Sequence, residues 1–211
     1  MLDIDLYTEI TCPWCIVGLH RLDKVLAEQF PGLAVNIRHH PVLLLPDAPA
    51  EGLVIADLLR SRYGVTDPKV SFARPEGEAR ASGLALALDL NRQPKTYPTQ
   101  AAHALILAAS ERGTAHPLAV AISRAYFLEG ANIADTAALA DIAVDHGFEP
   151  DEAVEITTSP EWRKRVEAEA AQSSARGVRS VPHFIFGDRI ELSGGRSEAE
   201  VAAAISRALV D

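Results

Sequence analysis

The sequence predicts an α/β fold in which the two ends of the chain build one small sheet around a large helical insertion. Three observations lead to this prediction: a strand–helix–strand pattern at the start, a strand–strand–helix pattern at the end, and helical periodicity between them. We place the first half of the sheet domain in residues 1–45, the all-helical insertion in 46–170 and the second half in 171–211.

The first half of the sheet domain is predicted from a change in the spacing of the apolar residues along the sequence. Apolar and polar residues alternate over 2–6, which is typical of a strand with one buried face. Over 16–30 the apolar residues recur every three or four positions, as on one face of a helix. Pro31 and Gly32 end that helix, and alternation returns over 33–37. The order is therefore strand, helix, strand.

The middle of the chain lacks a strand pattern and is rich in alanine and leucine. Asp135 and Ser159 are residues of the type that cap free amides at helix starts, and Pro160 suits a first helical position. Helices are predicted over 51–63, 75–90, 99–112, 117–129, 136–146 and 160–176.

The last part of the chain returns to strands. An apolar run over 181–186 is followed by the turn Gly187-Asp188 and a second short run over 189–192, which predicts a hairpin. Ser197 and Glu200 have the spacing of a capping box, so a final helix should follow them.

Charge and hydropathy exclude two classes of partner. The 211 residues carry a formal net charge of −9, whereas a nucleic-acid binder needs concentrated positive charge. No apolar run approaches the ~20 residues that span a bilayer, and Asp3 and Asp5 stand where a secretory signal would be basic. We therefore expect a cytoplasmic protein that binds neither nucleic acid nor membrane.

The chemistry is predicted at Cys12-Pro13-Trp14-Cys15, where the first strand passes into the first helix. Unpaired amides and the helix dipole favour a thiolate at Cys12 and lower its pKa from the ~8.5 of a free cysteine. Cys15 lies one turn further on and can attack a mixed disulfide formed by Cys12. The pattern predicts Cys12 as the attacking thiol and Cys15 as the resolving thiol, with Pro13 and Trp14 tuning the pair.

Two alternatives concern the cysteines themselves. They could be reduced structural residues, but a tryptophan between them is costly on a turn unless it shapes a surface. They could be half of a zinc site, but tetrahedral zinc needs four ligands. The candidates for a second pair, His39 and His40, are adjacent on a strand and face opposite ways. We expect no metal.

Val181-Pro182 supplies the second part of the predicted site. Proline cannot donate to a strand ladder, and here it begins an apolar run. A cis peptide would bring the Val181 backbone beside the sulfurs, where it could pair with an extended substrate segment. Only ~5–6% of X-Pro bonds are cis in folded proteins, so the residues alone favour a trans bond at a strand start.

The whole chain resembles the DsbA family, a thioredoxin fold with an inserted helical domain, and within it the FrnE-like thiol-disulfide oxidoreductases. The resemblance implies that Cys12 is the nucleophile, that Cys15 resolves, and that Pro182 is cis. The chain differs from the residues usual in this family at Ile16-Val17, at Ser180 and over 96–99. These differences are expected to alter the surface that binds the partner and not the sulfur chemistry. The resemblance rests on Cys12-Pro13-Trp14-Cys15 with Gly18, Ala102-His103, Ala125-Tyr126-Phe127 with Gly130, Gly177-Val178, Val181-Pro182, Phe184-Ile185 and Ser193-Gly194.

Relatives on the same scaffold provide the main alternative function. The 2-hydroxychromene-2-carboxylate isomerases and kappa-class glutathione transferases share the inserted domain but typically carry serine at the first cysteine position and lack the second cysteine. Both thiols are present in this chain, which favours dithiol exchange. A non-enzymatic chaperone or adaptor is the third hypothesis, favoured if binding and activity survive Cys12→Ser.

The expected reaction needs no cofactor, although glutathione could be a co-substrate, and the partners are protein or small-molecule thiols and disulfides. The chain could be a monomer or a homodimer. Glu9 could receive a proton from Cys15, although a solvated acid at a strand end is the simpler interpretation. His183 could tune the thiolate by its charge or could face elsewhere. His103, on an apolar helix, is interpreted as a packing residue with its hydrogen bonds satisfied.

Overall fold

The computed structural model describes residues 1–210. Its main sheet has four strands in the order β2-β1-β5-β6, formed by β1 (Leu2–Thr8), β2 (Val35–Pro41), β5 (His183–Phe186) and β6 (Ile190–Ser193). β1 pairs in parallel with β2 and antiparallel with β5, and β5 pairs antiparallel with β6. The sheet therefore joins the two ends of the chain through the β1–β5 ladder. Residue 211, at the end of the predicted second half, lies outside the described residues.

Two helices pack on the same face of this sheet. α1 (Pro13–Gln29) follows β1, and α9 (Glu198–Val210) ends the chain. Between the sheet halves lie α2 (Ile55–Tyr63), α3 (Pro68–Ala81), α4 (Gln100–Ala109), α5 (Ala115–Arg124), α6 (Thr136–Val144), α7 (Pro150–Thr158) and α8 (Pro160–Ala175). A 3₁₀ turn (Ser110–Arg112) extends α4, a π-helical turn (Ala125–Glu129) extends α5, and two-residue strands β3 (Leu53–Val54) and β4 (Lys95–Thr96) pair with each other.

Most of the buried apolar side chains belong to two cores. The first packs the face of β1 that carries Leu2, Ile4 and Leu6 against α1 and α9. The second fills the helical insertion and extends to α1 through Ile16 and Val17. Because α1 contributes to both cores, the insertion packs directly on the helix whose N-cap residue is Cys12.

The hairpin turn is of the predicted kind. Gly187 and Asp188 both have positive φ, at 58° and 62°, and the Arg189 amide donates to the Phe186 carbonyl, so residues 187–189 form a three-residue loop between the paired Phe186 and Ile190. The caps predicted at Asp135 and Ser159 also form: their side chains accept hydrogen bonds from the amides of Ala137 and Trp162.

The helix predicted over 75–90 is wrong. α3 begins at Pro68, capped by Asp67, includes Pro75 in its interior and ends at Ala81. Residues 84–90 lie outside regular elements, with leucines at the even positions turned inward and Ala85, Ala87 and Asp89 exposed. That alternation has a period of two, which is the spacing of an extended chain. The high leucine content of the segment is typical of a helix, but the spacing of the leucines is not.

Two smaller predictions also change. The helix predicted over 51–63 begins only at Ile55, since residues 53–54 join the short strand pair. A helix over Pro150–Thr158 was not predicted, although Pro150 stands at its first turn and two acids follow it.

Arg21 connects α1 to α3 and to the segment before α9. It is 3% exposed, and its guanidinium donates to the carboxylate of Glu78, the hydroxyl of Ser82 and the carbonyl of Arg196. Arg21→Met should lower the free energy of unfolding by about 2 kcal/mol, because the buried oxygen atoms that accept hydrogen bonds from the guanidinium would lose their donor. Urea unfolding measures this change.

The matched control lies on the same helix. Lys24 pairs with Glu198 at 3.0 Å, but both side chains are about a quarter exposed. Lys24→Met should therefore cost less than about 1 kcal/mol. Equal costs for the two variants would contradict the assigned role of Arg21.

Candidate active site

The two cysteines lie where the carboxyl end of β1 meets the amino end of α1. Cys12 is the N-cap residue of α1 with extended backbone, and Pro13 is the first helical residue. Both thiols are free; Cys12 is half-buried and Cys15 is 1% exposed. The chain thus presents one sulfur near the surface and holds the other beneath it.

The surroundings separate the pKa values of the two thiols. A hydrogen bond from the Cys15 thiol, followed by the amides of Cys15 and Trp14, lowers the pKa of Cys12 despite its desolvation. Burial, and then the Cys12 thiolate, raise the pKa of Cys15 well above its ordinary value. A single negative charge shared by the pair therefore resides on Cys12.

Val181 and Pro182, which directly precede β5, are joined by a cis peptide bond. Val181 packs in a small apolar cluster with Cys15, Tyr7, Val178 and Ile185, and Cys12 contacts its edge. Within residues 1–210 the backbone amide and carbonyl of Val181 have no hydrogen-bond partner. These two groups are available beside the dithiol.

Gly18 allows α1 to approach this strand. A Cβ at Gly18 would lie 2.7 Å from Cγ of Pro182 and 3.2 Å from Cζ of Phe184. Gly18→Ala should destabilise the fold by about 2 kcal/mol and slow thiol exchange, because a rigid proline ring cannot yield without moving α1. Urea unfolding and exchange rates measure the two effects.

Gly77→Ala is the control for Gly18→Ala. Gly77 lies within α3, and a Cβ there would meet nothing within 4 Å. The substitution should stabilise by about 0.5–1 kcal/mol through lower backbone entropy in the unfolded chain. Destabilisation of the same size in both variants would contradict the proposed close approach.

The Trp14 ring packs against Gly195, in the segment after β6. A Cβ at Gly195 would come within 2.3 Å of the Trp14 ring, so only a glycine fits beneath it. The guanidinium of Arg74 lies 5.3 Å from the ring on α3. The tryptophan between the cysteines therefore shapes the surface around Cys12.

Glu9 is buried, at 1% exposure, and the expectation of a solvated carboxylate at the strand end was wrong. It lies in the turn between β1 and Cys12, and the segment after β2 and α4 cover it. Burial raises its pKa to about 7, against hydrogen bonds from the Leu44 amide and the Thr99 hydroxyl. A carboxyl that can gain or lose a proton near neutral pH thus lies close enough to both sulfurs to raise their pKa values.

The histidines take different positions. His183 is 9% exposed, packs edge-on to Tyr7 and lies 3.6 Å from the carboxylate of Glu191. Burial lowers its pKa. His39 and His40 face opposite ways, as predicted: His39 lies within hydrogen-bond distance of His116, while Nε2 of His40 donates to the Asp5 carboxylate.

His103 was expected to have its hydrogen bonds satisfied, and this was wrong. It is 2% exposed, and its Nε2 has no hydrogen-bond partner within the described chain. Its ring nitrogen faces Glu9 across 3.9 Å. Sequence periodicity places His103 on an apolar helix face, but it carries no information about which polar group that face meets.

An apolar cavity of about 270 Å³ opens beside the outer sulfur. Thr11, Cys12 and Pro13 form one end of it, and the other walls are mostly apolar side chains of α2, α3, the π-helical turn and the leucine-rich segments after β2 and over 88–90. Sequence reasoning missed this cavity, because its walls come from distant segments. Within residues 1–210, no three metal-ligating side chains converge on a possible ion site, and no helix is long and apolar enough to cross a membrane.

Comparison with known proteins agrees with this architecture. The DSBA-like thioredoxin domain matches residues 3–206. No curated protein matches the chain by sequence. The solved structure of a "probable DsbA oxidoreductase" from Streptomyces coelicolor is 24% identical, with a TM-score of 0.86 over 99% of this chain and 90% of the other.

Two further solved structures share the fold at lower identity. The cytosolic disulfide reductase DsbM from Pseudomonas aeruginosa, solved with GSH, is 17% identical, with a TM-score of 0.67 over 98% of each chain. A 2-hydroxychromene-2-carboxylate isomerase is 15% identical, with a TM-score of 0.71 over 97% of this chain and 95% of the other. The fold therefore carries more than one chemistry.

Proposed function

Because this chain belongs to the DsbA-like thioredoxin family, we propose that it is a FrnE-like, cytoplasmic thiol-disulfide oxidoreductase that works through Cys12 and Cys15. The observation that supports this best is the unequal pair of thiols. Cys12 is accessible with a lowered pKa, and Cys15 is buried beneath it with a raised pKa. This is the arrangement that an attacking and a resolving thiol require.

The reaction follows from that inequality. The Cys12 thiolate attacks a substrate disulfide, forms a mixed disulfide and releases one substrate thiolate. Cys15 then loses its proton and attacks Sγ of Cys12, which releases the second substrate thiolate and leaves a Cys12–Cys15 disulfide. The substrate gains two electrons and the protein loses two. Run backwards, the same steps oxidise a substrate dithiol.

The partner is proposed to be a protein or small-molecule thiol or disulfide. Two features support an extended peptide: the unpaired backbone groups of Val181, which could add a substrate strand, and the surface formed by Trp14 against Gly195. Glutathione is a possible co-substrate, since DsbM of the same fold was solved with GSH. Pro182 and His183 would lie at the edge of the bound segment.

The decisive test is the pKa of Cys12 together with the Cys12–Cys15 reduction potential. Thiolate absorbance against pH gives the first, and equilibration with glutathione buffers gives the second. We expect a pKa below that of a free cysteine and a defined two-electron couple, for which ~30 mV corresponds to ~1.4 kcal/mol. An ordinary pKa, or no disulfide in oxidising buffer, would refute the proposal.

The cavity beside Cys12 favours a second candidate, a glutathione-dependent isomerase or transferase for an apolar small molecule. Such an enzyme needs one reacting sulfur at most, so its activity should survive Cys15→Ser. Dithiol exchange should not survive that change. Glutathione consumption with an aromatic electrophile, measured in the wild type and in Cys15→Ser, separates the two candidates.

A further inference from the structure

The buried pair Glu9 and His103 is not explained by packing. The two side chains are 1% and 2% exposed, and Oε1 of Glu9 lies 3.9 Å from Nε2 of His103. That nitrogen is buried without a hydrogen-bond partner among residues 1–210. A buried polar atom left unpaired costs about 1–3 kcal/mol, so its position opposite a carboxyl group needs a reason.

The hydrogen bonds of Glu9 show where its proton resides. Oε2 accepts from the Leu44 amide at 3.1 Å and from the Thr99 hydroxyl at 3.3 Å. Oε1 accepts a longer hydrogen bond of 3.4 Å from the Thr11 amide, and it is the oxygen that faces His103. The two shorter of these hydrogen bonds go to Oε2, which favours the proton of a protonated Glu9 on Oε1.

The ring of His103 is suited to accept that proton in a hydrogen bond. Burial lowers the pKa of His103 to about 4, so the ring is neutral at neutral pH and has one bare nitrogen. Burial raises the pKa of Glu9 to about 7, so its carboxyl is protonated part of the time under the same conditions. At 3.9 Å the two atoms are too far apart for a hydrogen bond, so the bond requires the two side chains to approach each other.

We propose that His103 is a positioning residue of thiol exchange, whose Nε2 accepts a hydrogen bond from Oε1–H of Glu9 when Glu9 holds the proton released by Cys15. This inference rests on the proposed function. In the resolving step the Cys15 thiol gives its proton to the Glu9 carboxylate, and the Cys15 thiolate attacks Sγ of Cys12. In the reverse direction Glu9 returns the proton to Cys15 as that sulfur leaves.

Other titratable groups surround the pair. The thiols of Cys12 and Cys15 face Glu9 from α1, and the Tyr126 phenol approaches it from the π-helical turn, with its hydroxyl donated to the Lys95 carbonyl. His39 on β2 lies close enough to His103 that a charge on either would disfavour one on the other. The charge of Glu9 opposes ionisation of both thiols, so uptake of the Cys15 proton by Glu9 favours the thiolate.

The test separates the two chemical steps with an aromatic disulfide whose thiolate product is coloured. Mixed with reduced protein in a stopped-flow instrument, it releases one coloured thiolate when Cys12 attacks and a second when Cys15 resolves. The rate of the second release, followed against pH, should rise with a midpoint set by Glu9. In Glu9→Gln that rise should disappear.

The His103 variants decide the inference. His103→Phe fills the same space without an acceptor, so the protonated carboxyl loses its partner and the midpoint should fall by about one pH unit. His103→Gln retains a carbonyl acceptor and should keep the midpoint. In the Glu9→Gln background, His103→Phe should have no further effect on the second release. His103→Leu should lower the midpoint as His103→Phe does, and it is used instead if His103→Phe does not fold.

The control is Leu105→Val, a buried change on the same helix, which should leave the midpoint unchanged. An unchanged midpoint in both His103→Phe and His103→Leu overturns the inference, as does an equal effect of His103→Phe with and without Glu9. If the wild type releases no second thiolate at any pH, the proposed two-thiol function fails instead.

Discussion

Cys12→Ser should abolish dithiol–disulfide exchange, lowering the rate to that of the uncatalysed reaction. The Cys15 thiol and the amides of the first turn lower the pKa of a thiol at position 12. A serine hydroxyl at the same position is still not ionised at neutral pH, so the variant has no nucleophile there. Cys15 cannot take over, because it is 1% exposed and its pKa is raised. Turnover of a disulfide substrate, measured under saturating reductant, gives the loss.

Cys15→Ser is the companion variant and should behave differently. Cys12 remains accessible and still attacks, but no second sulfur resolves the product, so a mixed disulfide accumulates at Cys12. Mass spectrometry under non-reducing conditions detects the adduct. Full turnover of Cys15→Ser without an adduct would show that the two-thiol mechanism is wrong.

Glu9→Gln should change how stability depends on pH. The unfolded-state pKa of Glu9 is near 4.5 and burial raises the folded-state pKa to about 7. Between these values the folded state holds a proton that the unfolded state has lost, so the stabilisation present at low pH is lost as pH rises. A shift of this size corresponds to about 3 kcal/mol.

The measurement is the difference in unfolding free energy between Glu9→Gln and the wild type. From pH 4.5 to pH 8, the unfolding free energy of Glu9→Gln should rise by about 3 kcal/mol relative to that of the wild type. His39 and His103, whose lowered pKa values act in the opposite direction, are present in both proteins and cancel in the difference. Glu200→Gln is an exposed change in the capping box of α9. Hydrogen bonds from the Ser197 amide and hydroxyl lower the pKa of Glu200, so its own effect on stability lies below its ordinary pKa of 4.5 and the variant should leave the wild-type profile from about pH 5 to pH 8 in place. A constant difference across this pH range would contradict the buried position of Glu9.

The errors made from the sequence have local causes. The leucine and alanine content of 84–90 predicts a helix, while its alternation of buried and exposed residues is that of an extended chain. Asp67 and Pro68 signal the start of α3, whereas Pro75, which also suits a first helical position, lies in the interior of that helix.

The site shows a different kind of limit. Cys12 and Pro13 could be placed at a helix start because period and motif are both local to that stretch of chain. Glu9 could not be recognised as buried, because the groups that cover it, Leu44 and Thr99, come from separate segments. A single carboxylate at a strand end is solvated or enclosed according to what packs on it.

The sequence by itself determined the order of the strands and helices that build the main sheet at the two ends of the chain, the position of the cysteine pair at the amino end of α1 and the hairpin turn at Gly187-Asp188, because each depends on neighbours within a few residues. Only the tertiary structure decided that Glu9 and His103 are enclosed together and that an apolar cavity opens beside Cys12. Burial and pKa depend on the dielectric and the partners that distant segments bring, and these contacts exist only once the insertion packs on α1.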